Sequence, residues 1–70
     1  MNSSDYEIFY IFGKISMALD DPESALTYFK SSIGKEPNEE SFIEQAKIYM
    51  NKHEYLQASD ILKDCSLIAP

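Results

Sequence analysis

Shifted by 33 residues, the sequence falls on itself, and no other feature limits its fold so tightly. Glu7 then meets Glu40, Phe9 meets Phe42, Lys14 meets Lys47, Ile15 meets Ile48, Met17 meets Met50, Ala25 meets Ala58, Lys30 meets Lys63 and Pro37 meets Pro70. Where the residues differ, their size is kept: Gly13 meets Ala46, Phe29 meets Leu62 and Ser32 meets Cys65. A chain written twice on one plan folds as two like units stacked on each other.

Helix signals give those units their content. Ser4-Asp5-Tyr6-Glu7 has the spacing of a capping box and opens a helix from about Asp5 to Leu19. Asp20-Asp21-Pro22-Glu23 supplies a cap, a first-turn proline and an acid that suits the positive end of the dipole, and so opens a second helix. Gly34 is expected to close it in a left-handed conformation, with Pro37 just beyond. Asn38 with Glu39 and Glu40 opens a third helix to about Met50 or Asn51. The fourth is predicted from His53 or Glu54 toward Leu67 and Ile68. Short connections make antiparallel neighbours. The expectation is all-α: one domain over 1–70, of two helix-turn-helix hairpins at about 6–37 and 39–70.

Two helices approach closely where a small residue on one faces a bulky residue on the other. Gly13, Ala25, Ser32, Ala46, Ala58 and Cys65 are the small positions, and Phe9, Phe29, Phe42, Tyr49 and Leu62 the bulky ones. Cys65 thus reads as an inert small residue of a helix face rather than a reactive thiol.

On these residues the chain resembles the tetratricopeptide repeat family. The second unit carries the pattern as Phe42, Ala46, Tyr49, Tyr55, Ala58, Leu62, Cys65 and Pro70, and the first as Phe9, Gly13, Ala25, Phe29, Ser32 and Pro37. The first unit departs at Ser16 and Pro22, where the family places aromatics, which leaves its hairpin turn open to a different local geometry. The resemblance spans about Tyr6 to Pro70. It implies a right-handed superhelix whose concave face, lined by the first helix of each unit, holds a peptide or another protein's helix, and it implies no cofactor. It also allows the carboxylate clamp of chaperone-binding members to be sought here, but Tyr10, Lys14 and Glu44 stand at the matching positions and leave that clamp mostly missing.

Catalytic and metal chemistry find little material. There is one histidine, one cysteine, no Gly-rich phosphate loop and no Ser-His-Asp set, so neither an enzyme nor a protein-only zinc site is expected. His53 reads as a solvated turn residue. The acids Glu36, Glu39, Glu40 and Glu44 surround a helix start, where the dipole accounts for them better than a calcium site does. The net charge is −6 and all six basic residues are lysine, which disfavours nucleic acid and acidic membrane surfaces alike. No run approaches the roughly 20 apolar residues of a membrane span. The glycosylation triplet Asn2-Ser3-Ser4 lacks a signal peptide, so the chain is expected inside the cell, cytoplasmic or nuclear.

What remains is protein binding. A unit this small buries only about 60% of its unfolded surface, so a partner, a longer array or a second copy is expected to complete it. Leu67 and Ile68 stand where a self-sufficient array would need a polar cap. On the first helix, Ile8, Ile11, Ile15 and Ala18 form an apolar stripe roughly 120° from the core stripe of Phe9, Phe12, Gly13 and Ser16, at about 100° per residue. That stripe is the predicted subunit or self-association contact. Tyr10, Lys14 and Met17, with Ile43, Lys47 and Met50 on the third helix, are the predicted partner groove, edged by Glu7 and Glu40. The function read from these features is a non-enzymatic scaffold module, with an adaptor capturing a linear peptide as the alternative.

Overall fold

A computed structural model describes residues 4–68 of the 70. The triplet beginning at Asn2 and the predicted closing Pro70 lie outside the described residues. Four helices follow in chain order: α1 (Asp5–Ala18), α2 (Pro22–Lys35), α3 (Glu39–Asn51) and α4 (Tyr55–Ile68). They pack as two hairpins, α1 on α2 and α3 on α4, and α2 meets α3 to join the units. α2 is therefore covered from two sides.

Helix starts follow the predicted capping chemistry. The Ser4 N–H donates to Glu7 Oε1 at 3.2 Å, Ser24 N–H to Asp21 Oδ1 at 3.2 Å, and Ser41 N–H to Asn38 Oδ1 at 3.0 Å, so each gives an orphan amide of a first turn its partner. Bonds from the Ser24 side chain and amide hold the Asp21 carboxyl below its ordinary value near 3.8. A carboxyl lowered in the folded state stabilises at pH above its unfolded value, and that contribution is lost as the pH falls through the folded one. The Tm values of the native chain and an Asp21→Ala variant are expected to differ at neutral pH and to converge as the pH is taken below about 3.8.

Both hairpins turn on one backbone motif. In the first, Asp21 N–H donates to the Ser16 carbonyl at 2.9 Å and Asp20 N–H to Met17 at 3.0 Å; in the second, Glu54 N–H donates to Tyr49 at 2.8 Å and His53 N–H to Met50 at 3.0 Å. These are the paired bonds of a Schellman closure, 33 residues apart. Its left-handed residue is not a glycine in either turn but Asp20, at φ 60°, and His53, at φ 63°. The absence of aromatics at Ser16 and Pro22 thus leaves the first turn unaltered. The left-handed closure expected at Gly34 is not formed: no glycine has positive φ, and α2 runs through Gly34 to Lys35. Pro37 ends it instead, because the residue before a proline is driven out of the helical region, and Glu36 is extended at φ −157° and ψ 120°. His53, likewise, is a turn residue and not a helix start, with α4 opening at Tyr55.

The core lies along α2, where Ala25, Leu26 and Phe29 are buried with Ile48 of α3 and are flanked by Tyr10, Met17 and Tyr49. Gly13 is where α1 comes closest. A Cβ built there would stand 2.5 Å from Phe29 Cε1 and 2.8 Å from Cδ1 and Cζ, and Phe29 is fully buried, so the ring has nowhere to retreat. Gly13→Ala gains about 1 kcal/mol of helix propensity but overpacks a filled site, at about 1–3 kcal/mol. A net loss of about 1 kcal/mol is expected in urea denaturation. Adding Phe29→Leu, which reproduces the Ala46 and Leu62 of the second unit, is expected to relieve that overpacking. The predicted core is corrected at two bulky positions. Phe12 is 43% exposed, its ring 5.4 Å from that of Tyr28, and Leu62 is 45% exposed because α4 packs chiefly on α3.

A buried polar cluster pins α3 to α2. Ser32 Oγ donates to the Tyr6 carbonyl at 2.7 Å and lies 3.0 Å from both Asn38 Nδ2 and Ser41 Oγ, which donate to it. Asn38 Nδ2 also donates to the Glu36 carbonyl at 2.8 Å. Three helices and one linker meet at a single hydroxyl.

Candidate protein-interaction surfaces

The helical period of α1 places Ile8, Ile11 and Ile15 together on its outer side, where they are 40%, 52% and 50% exposed. Leu19, the C-cap residue, continues the surface at 75%. Isolated exposed apolar residues are ordinary on a protein surface, but a run along one helix face is not.

The six predicted groove residues do not form one free stripe. Tyr10 is half-buried with its ring 5.8 Å from that of Phe29, and Met17 packs on the core, as part of the molecule's own interior. Ile43 is half-buried in α3, whereas Met50 is exposed. Lys14 and Lys47 converge on one carboxylate, with Nζ to Glu44 Oε2 distances of 3.4 and 3.8 Å. Their acidic partner is thus already supplied by the chain, from the position where the resemblance sought a clamp residue. Both ammonium groups are well exposed, so these pairs add little to stability.

Sequence reasoning missed a third surface. Met50, Tyr55, Ala58, Ser59, Leu62, Lys63 and Ser66 line an open, mostly apolar groove along α4, continued by Leu56, which is 81% exposed. Leu62 is expected in the core, and the groove lies hidden behind that assignment. The available signal was a comparison of the units: Leu19 and Leu56 occupy the repeat positions held by Lys52 and Glu23 in the other unit. Lys52 Nζ reaches Glu23 Oε1 at 2.8 Å and Glu54 Oε2 at 3.4 Å, and the Glu23 bond foremost raises the lysine above its ordinary value.

Reactive groups are sparse on these surfaces. Cys65 is buried, and desolvation, with the Glu39 carboxylate second, pushes its thiol up, away from the nucleophilic thiolate. His53 is exposed in its turn, edge-on to the Tyr55 ring at 6.0 Å. Among the described residues no three metal-ligating side chains come together, and no helix is long and apolar enough to cross a membrane. No family model, curated protein or solved structure matches the chain.

Proposed function

We propose that the chain is a non-enzymatic protein-interaction module, a helical-repeat scaffold of the tetratricopeptide kind acting inside the cell, in cytoplasm or nucleus. The exposed apolar face of α1 carries this reading: Ile8, Ile11, Ile15 and Leu19 lie in solvent on a helix whose other side already fills the hairpin core. Fully burying an exposed side chain of this kind is worth about 1.5–3 kcal/mol, and with three of the four about half exposed already, covering the face is worth roughly half of that for each. Capture of a free peptide on α1 and α3 has less to use, since Tyr10 and Met17 are spent on the core and both lysines face Glu44.

The test is a photoreactive residue placed at Ile11 and, as a control, at the exposed Asp60, in the full-length protein in its own cells. The scaffold reading expects a defined protein, a second copy of the chain included, to be crosslinked from Ile11 and not from Asp60. Equal, unselective crosslinking from the two sites would reject it.

A further inference from the structure

The 33-residue period makes the two open apolar faces legible as the two halves of an interface the molecule already builds once. Inside the chain, α3 docks on α2 through three contacts: Ser41 on Ser32 at 3.0 Å, Ile48 within the Ala25, Leu26 and Phe29 cluster, and Lys52 on Glu23 at 2.8 Å. Subtracting one period from the α3 side gives Ile8, Ile15 and Leu19 of α1; adding one to the α2 side gives Cys65, the Ala58, Ser59 and Leu62 surface, and Leu56 of α4. Of these counterparts Ile8, Ile15, Leu19, Leu56, Ser59 and Leu62 are exposed, while Ala58 and Cys65 are buried.

Two of the three contacts change in step, and in the third Ile48 stays isoleucine as Ile15 while Leu26 and Phe29 become Ser59 and Leu62. The Ser32 and Ser41 hydroxyl pair becomes Cys65 and Ile8, polar replaced by apolar on both sides at once. The Glu23 and Lys52 ion pair becomes Leu56 and Leu19, again on both sides at once. Ile48 is 2% exposed in its interface, and its counterpart Ile15 is 50% exposed. Leaving a charge opposite a leucine would cost the desolvation of that charge, and neither of these contacts does so. The α1 face is therefore complementary to the α4 groove of the same sequence.

We propose that this chain associates head to tail with copies of itself, the α1 face of one copy docking in the α4 groove of the next in the way α3 docks on α2. The proposal deepens the scaffold reading, on which it rests, by naming the occupant of both faces. Such a contact is heterologous and leaves one free face at each end, so it extends without closing unless the turn per copy returns on itself. The net charge of −6 on each copy opposes it, so added salt strengthens the association by screening.

The test uses the purified full chain in sedimentation velocity with rising concentration. One variant blocks the α1 face with Ile15→Glu and Leu19→Glu, another the α4 groove with Leu56→Glu and Ser59→Glu, and circular dichroism checks that both stay helical. The native chain is expected to grow beyond a dimer, further at higher salt, and each variant to remain a monomer. An equimolar mixture of the variants is expected to give a 1:1 pair and nothing larger, since it holds one intact face of each kind. A native chain that is monomeric at every concentration overturns the proposal. So does a groove-blocked variant that still dimerises, which would mark a symmetric α1-to-α1 contact. Because the crosslinking from Ile11 accepts any defined protein, a monomeric chain with a specific crosslinked partner of another sequence would sink this proposal and leave the scaffold reading standing.

Discussion

Replacing Phe29 by alanine is expected to leave the chain largely unfolded. The ring is fully buried, packs over Gly13 and beside Tyr10, and joins the Ile48 cluster, so it touches α1, α2 and α3 together. Truncating a buried phenylalanine costs about 3–5 kcal/mol, because the cavity adds to the lost transfer energy. At roughly 0.05–0.15 kcal/mol per residue, a chain of this size has only about 3–10 kcal/mol in all. Helical ellipticity followed through a urea titration checks it, and a midpoint unchanged from the native chain would show that the core is not centred on this ring.

Ser32→Ala is expected to cost about 2–6 kcal/mol, a large effect for the loss of one oxygen. A hydroxyl has one donor and two acceptor sites, and Ser32 uses all three, on Tyr6, Asn38 and Ser41. Ser41 is wholly buried and Asn38 nearly so. With the hydroxyl gone, two buried donors lose a partner, at about 1–3 kcal/mol each. The double variant Ser32→Ala with Ser41→Ala is expected to lose less than the sum of the two single changes, since one orphan is removed with its partner. Strict additivity in denaturant titrations would mean that the cluster does not act as a unit.

The helix starts were legible because capping is local chemistry: Ser4, Asp21 and Asn38 each act within three residues of themselves. The stops were less so. Gly34 was the evident candidate for a left-handed residue, yet that conformation went to Asp20 and His53, whose strain is offset by the two closing bonds and not by residue type. The α1 stripe of Ile8, Ile11 and Ile15 was legible from the helical period and lies exposed. The α4 groove was not. Ile15 and Ile48 show why: the same residue at the same repeat position is half exposed in one unit and buried in the other, since burial depends on whether a neighbouring hairpin is present. No local pattern carries that information. Of the six groove residues, Tyr10 and Met17 gain neighbours that no local pattern shows, from the α2–α3 core.

Each helix packs chiefly on the ones next to it in the chain, α1 on α2, α2 on α3 and α3 on α4. Contacts close in sequence need only short loops to be closed first, so this topology belongs with the fast folders that form in microseconds to milliseconds. α4, held on one side with only Ala58 and Cys65 buried, stands at the low end of local stability, and α2 at the high end. Amide hydrogens of α4 should therefore exchange with solvent first and those of α2 last. Docking of another copy along α4 would slow that early exchange, so the weakest edge of the isolated chain is the one that assembly would protect most.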